Sequence, residues 1–286
     1  MKFPKRWWAV VVALGFTACA LPVAPAGYSD ASRIAQLQRL LPADAVLLGE
    51  QHDAPDHQQV HLLVVKTLAS QHLMAALLLE MASQGNSTNE LQREASEEAV
   101  RTALQWNNEG WPWAVYGPAV MAAVRAGVPV KGANLPSARL REAMADAELD
   151  TRLAGPALKA QQQSIRIGHC DMLPESQITP MTRVQIARDR AMAQTIAQAA
   201  RPGQVVVLLA GGGHVDRTLG VPLHLPAGLN AKSVLIQPQP APDATQSEAS
   251  FDAFWPALPA PPVDYCAGFS ASQRKRAAVP APQKIP

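Results

Sequence analysis

The chain of 286 residues is poor in charge, in aromatic residues and in cysteine. Charged residues make up 17%, with 25 Lys+Arg against 23 Asp+Glu and a formal net charge of +2. Lys2, Lys5 and Arg6 carry that small excess, so the chain without its first 18 residues has a net charge of −1. A body this close to neutrality has no global field for capturing nucleic acid, and none is expected as a partner. No uncharged apolar run reaches the roughly 18 residues of a membrane span, which excludes a polytopic membrane protein. The G-x-G-x-x-G and Walker spacings are missing, so the run Gly211–Gly213 is no phosphate loop. No solenoid repeat is visible. What remains is 48% hydrophobic, enough for one large globular domain with a buried core.

The N-terminus reads as an export signal. Met1–Arg6 is positively charged, and Trp7–Ala18 is a 12-residue apolar run, too short to span a bilayer. It ends in Phe16-Thr17-Ala18-Cys19, small residues before a Cys as in a bacterial lipobox, with Phe16 where Leu is usual. Residues 1–18 are therefore expected to be a lipoprotein signal peptide, Cys19 the lipidated residue and 19–30 a tether. The alternative is an ordinary signal with a coincidental Cys. Cys170 and Cys266 are left over. In an oxidising compartment they are expected to pair, the alternative being two free buried thiols.

Short apolar runs alternate with helical patterns. Ala45–Gly49, Met74–Leu79, Val128–Gly132, Gln204–Leu209 and Ser233–Ile236 read as strands. Helices are expected at Asp56–Ala69, Glu90–Gln105, Tyr116–Ala126, Ser137–Ala147, Pro156–Ile167 and Pro180–Ala200. The alternation predicts an α/β fold, a mostly parallel sheet flanked by helices. Residues 31–237 form this domain. A smaller helical subdomain is expected from about 85–117 and 150–190, where good strands are missing. Residues 238–286 are a Pro/Ala-rich tail, expected to be extended or disordered.

Ligands in open α/β sheets sit outside the carboxyl ends of the strands. Those ends here carry Glu50 and His52 in Gly49-Glu50-Gln51-His52, then Glu80, then Asn134, then His214 in Gly211-Gly212-Gly213-His214. Two Gly-x-x-His turns and two carboxylates can converge on one cleft and suit a divalent metal ion or acid–base work. In the plainer reading, Glu50 and His52 cap a helix and bond each other. His57 and His61 share a helix face. Without the H-E-x-x-H glutamate they read as a solvated or interface pair. His169-Cys170 offers a borderline-soft ligand pair, or a loop His beside a disulfide. Trp106, Trp111, Trp113 and Tyr116 surround a Gly-Trp-Pro-Trp turn. They can wall a site for a flat ligand, with Tyr116 as a phenolate to ferric iron, or fill a core. Arg183, Arg188 and Arg190 can recognise carboxylates such as porphyrin propionates, or form surface ion pairs.

The stretches VLLGEQHDAPDHQQVHLL, LLLEM, GWPWAVYGPAV, VPVKGANLP, IGHCDMLP, MTRVQIARDRAMA and LLAGGGHVDRTLGVP, in that order, resemble the ChaN family of haem-binding lipoproteins within the Tiki superfamily. The resemblance covers about Ala45 to Leu225. It implies haem handling at the bacterial envelope, lipid-anchored and facing the periplasm from the outer membrane. It also implies homodimers that sandwich haem, and an outer-membrane haem receptor or uptake machinery as partner. Glu50, His52, Glu80 and His214 match the superfamily site, and Arg188 its helix arginine. For the haem ligand, Tyr116 or His169 is expected, with His52, His214 and Arg188 nearby. The alternative that the superfamily implies is a metal-dependent hydrolase, a peptidase or esterase, using Glu50, His52, Glu80 and His214 on a divalent metal. A purely structural envelope protein is a third reading.

Overall fold

A computed structural model describes residues 29–238 and 249–267. The signal segment, Cys19 and most of the tether, like residues 239–248 and 268–286, lie outside the described residues. Ser29 caps the first helix, α1 (Asp30–Leu40), by accepting from the Ser32 N–H. The chain continues through β1 (Ala45–Glu50), α2 (Pro55–Ser70), β2 (Met74–Ser83), α3 (Glu97–Ala103), α4 (Trp113–Ala126) and β3 (Val130–Asn134). Next come α5 (Leu140–Ala145), α6 (Gly155–Gly168), α7 (Glu175–Ala199), β4 (Val205–Gly211), β5 (Ala231–Pro238) and β6 (Ala253–Ala257).

The six strands form one parallel sheet in the order β3-β2-β4-β1-β5-β6. The fold is α/β, as the alternation of patterns requires. Successive side chains of a strand point to opposite faces, and both faces are covered. Val46, Leu48, Leu77, Leu79, Val205 and Val207 pack with α1, α2 and α4. Ala45, Leu47, Leu78, Val206 and Leu208 pack with the C-terminal half of α7. The chain leaves β1 toward β2 on one side and leaves β4 toward β5 on the other. The crevice between β1 and β4 is thus the switch point where such sheets take ligands.

Three expectations change. The segment from Glu90 holds a helix only over Glu97–Ala103, because Ser96 accepts from the Ala99 N–H and starts it late. Residues 85–117 do not join 150–190 in one subdomain. Val100, Leu104, Trp113 and Tyr116 enter the main core, whereas Leu135, Ala143, Leu149, Leu153, Val184 and Ile186 form a small cluster between α5, α6 and α7. The Pro/Ala-rich tail supplies β6, a sixth strand. Pro256 is tolerated there because β6 is at the sheet edge, and Trp255, 1% exposed, anchors it.

Candidate functional site

Register builds the site. Glu50 ends β1 and lies opposite Gly211 of β4, and Glu80 follows Leu79, which pairs with Leu209. Three strand ends therefore deliver two carboxylates and a glycine turn to one place. Gly49 permits this turn to close over β1, since a Cβ there would lie 2.4 Å from the Val215 side chain. At Gly211 a Cβ would stand 3.0 Å from His52 Nε2, so the glycine makes room for the imidazole.

Glu50 is buried and surrounded by donors. Its Oε1 lies 2.7 Å from His52 Nδ1 and accepts from the Tyr116 hydroxyl at 2.7 Å. Its Oε2 accepts from Gln58 Nε2 at 3.1 Å and lies 3.5 Å from His61 Nδ1. Burial pushes this carboxyl up, but the His52 bond, His61 and the Tyr116 bond outweigh it and hold it below the usual carboxylate range. His52 moves the other way. Burial pushes it down, while Glu50 and Glu80 raise it above the ordinary imidazole value.

A second cluster adjoins the first. His214 Nδ1 stands 2.5 Å from Asp189 Oδ1, its Nε2 stands 3.3 Å from Glu80 Oε1, and the Gln185 carboxamide covers the ring. Glu80 Oε2 also accepts from the Gly211 N–H at 2.7 Å. Burial opposes the charge on His214, but the two carboxylates outweigh it and raise it to about 10. Burial is likewise overcome at Glu80, which His214 pulls down to about 2. Asp189 is pushed up to about 6 by burial. The result is an imidazolium clasped between two carboxylates.

The expected residues Glu50, His52, Glu80 and His214 gather around Gly211, with Nδ1 of His214 facing Asp189 and its Nε2 facing Glu80. Among the described residues no group of three His, Cys, Asp or Glu is arranged to hold a metal ion. Tyr116 is 2% exposed and its hydroxyl donates a hydrogen bond to Glu50, and burial beside that carboxylate keeps the phenol protonated by raising it above its ordinary value. It is a core residue, not an accessible phenolate. Arg188 runs along α7 beside Asp189, and its Nε is buried without a hydrogen bond. Arg183 instead grips Asp150 at 2.9 and 2.6 Å, and Arg190 is exposed.

His52 and His169 remain. The His52 side chain is 41% exposed and meets Trp111 edge to face, ring centroids 4.8 Å apart. Half-buried His169 ends α6 with Nδ1 2.8 Å from the Ile165 carbonyl, the tautomer that puts the lone pair on Nε2. Cys170 and Cys266 form a disulfide with Cα atoms 5.7 Å apart.

His57 and His61 are not solvated. Each is 1% exposed, because α2 is wedged between the sheet and α4. Burial depresses both, His57 to about 4, and His57 Nδ1 accepts from the Gln51 N–H at 3.0 Å. Sequence reading assigned no role to Gln58, Gln185 and Asp189 and took His61 for a solvated or interface residue. The one available signal was their spacing, since Gln58 and His61 share a face of α2, and Gln185 and Asp189 a face of α7.

Fold and site together define a doubly wound parallel α/β protein with a carboxylate–histidine cluster at its switch point. The family described as haem-binding uptake, Tiki superfamily, ChaN matches residues 36–225, and the chain belongs to it. A solved structure described as cofacial heme binding to ChaN of Campylobacter jejuni is similar, with TM-score 0.65 and 21% identity over 77% of this chain and 89% of that one. The type III effector HopBA1 aligns at TM-score 0.42 and 18% identity, covering 76% of this chain and 88% of that one. A Bacillus cereus protein aligns at 0.35 and 12%, covering 73% and 69%. Both are too distant to inform the site. No curated protein matches the chain.

Proposed function

We propose that this chain binds haem as cargo at the bacterial envelope and takes part in haem or iron uptake. The observation that carries the reading is the Glu50–His52 pair. A buried carboxylate holds Nδ1 of a half-exposed imidazole, which leaves Nε2, on the Gly211 side of the ring, as the remaining donor, the arrangement that orients histidine toward a metal. Haem iron accepts such an imidazole as an axial ligand. Trp111 stiffens the ring from one side. Exposed Ile167, Val263 and Tyr265, all within three residues of the disulfide, offer apolar surface to a flat ligand. His169, in the same loop, is the second candidate ligand.

The disulfide supports export, since structural cystines belong to oxidising compartments. With the signal-like N-terminus it favours a lipoprotein anchored through Cys19, facing the periplasm from the outer membrane. The same reading includes a homodimer formed around haem and delivery from an outer-membrane haem receptor or uptake machinery. The test is a ferric haem titration of the purified protein with parallel metal analysis. Near-stoichiometric uptake with a Soret shift, lost in His52→Ala, supports the proposal. A flat titration of non-aggregated protein refutes it.

A further inference from the structure

The segment after β6 comes back to the site although it lies outside the residues the family matches. The Leu258 N–H donates to Asp56 Oδ2 at 2.8 Å, the same oxygen that Arg33 Nη2 reaches at 2.6 Å. Seven residues on, the Tyr265 hydroxyl donates to Asp53 Oδ2 at 2.6 Å and accepts from Gln51 Nε2 at 3.1 Å. Gln51 Nε2 also donates to Asp53 Oδ1 at 2.9 Å, which closes a ring of three side chains. Gln51 and Asp53 are the residues on either side of His52. The next residue, Cys266, is bonded to Cys170 beside His169.

Residues 261–267 are all exposed. A segment with so little burial gains too little to order itself against its backbone entropy. A covalent tether changes that balance by holding Tyr265 at high local concentration over its two partners. We propose that residues 258–266 are a wall of the His52 site latched by the Cys170–Cys266 cystine, and that Tyr265 is a positioning residue for the turn carrying His52. The ligand class rests on the haem reading above; the positioning does not.

The latch opens to a dithiol. One thiolate of the dithiol attacks a cystine sulfur, and its second thiolate displaces the resulting mixed disulfide. Two electrons and two protons pass to Cys170 and Cys266, and the dithiol leaves as a cyclic disulfide. Tyr265 then leaves Asp53 and Gln51, and the turn loosens.

The test starts with the ligand-free full chain, by hydrogen exchange and mass spectrometry. Peptides covering Gln51–Ala54 should exchange about tenfold faster after dithiothreitol treatment, in the double variant Cys170→Ser with Cys266→Ser, and in Tyr265→Phe, as expected for losing a hydrogen bond to a charged group. Peptides within β1 should not change. Unchanged exchange at 51–54 in all three overturns the proposal, whatever the haem result. The second arm loads ferric haem and follows its transfer to excess apomyoglobin. Several-fold faster transfer from the reduced protein and from Tyr265→Phe, with an altered ferric spectrum and an unchanged melting temperature in Tyr265→Phe, supports the wall. Faster exchange with unchanged transfer overturns the wall. Failure of the untreated protein to take up haem counts against the haem reading alone, because the exchange arm needs no ligand.

Discussion

The Glu50 carboxylate and His52 Nδ1 lie 2.7 Å apart, yet the Glu50 side chain is fully buried and that of His52 is 41% exposed. One residue belongs to the end of a strand and the other to a surface turn, and the bond couples the interior to the mouth of the site. Glu50→Gln keeps the shape and removes the charge. Haem affinity should fall by about 10–100-fold, the usual effect of altering a group that orients a metal ligand. The pH dependence should shift as well. Glu50 raises His52, so protons compete for Nε2 at a higher pH than for a free imidazole, and affinity is lost as pH falls through that raised value. In Glu50→Gln this loss should move to lower pH. Titrations at several pH values in both proteins check both statements.

Tyr116→Phe removes one donor from a buried carboxylate and leaves the ring in place. A hydrogen bond to a charged group contributes roughly 1.5–3 kcal/mol, so unfolding by denaturant should show a loss of about 2 kcal/mol. The haem spectrum should keep its shape, because Tyr116 reaches Glu50 and not the mouth. A spectrum that changes its ligand signature in this variant would make Tyr116 a ligand after all.

Stability should depend on pH through His214 and Glu80. His214 is raised to about 10, so its contribution is fully present below about 6.5 and is lost as pH rises toward 10. Glu80 is lowered to about 2, so its contribution is present above about 4.5 and is lost as pH falls toward 2. Asp189 works in the opposite sense, since its raised value penalises the folded state increasingly from about pH 3.8 to about 6, above which the penalty is complete. Between about pH 2 and 10 they place maximum stability at about pH 4, with a decline through Asp189 up to about 6 and a further decline through His214 above about 6.5. Melting temperatures across that range provide the check. In His214→Gln the alkaline decline should flatten.

Trp255→Ala should cost about 3–5 kcal/mol, the range for emptying a buried aromatic site. Trp255 is 1% exposed and belongs to the same core as β1 and α2, so the loss should appear in global unfolding and not only in the tail. Unchanged stability would mean that β6 is a detachable edge.

The sequence by itself determined the class of fold and the positions of the chemistry. Apolar β-branched runs such as Val205–Leu209 can be buried on both faces only in a covered parallel sheet, and in such a sheet Glu50, Glu80 and His214 must fall at carboxyl ends. Whether those groups point outward as ligands or inward as partners of each other was decided by the tertiary structure. Asp189 is 25 residues before His214, yet α7 lays it against the imidazole, and the low dielectric there makes an ion pair of what reads as a ligand set. Tyr116 and His61 turn into the core because α4 and α2 pack against each other over the sheet, a contact that helix periodicity locates on a face but does not aim. The partner of Tyr265 was equally hidden, since Asp53 is 212 residues away in the chain. Local pattern specifies which residues are buried or sit at strand ends; only the strand order specifies which polar atoms meet, and in a buried site that meeting sets every charge.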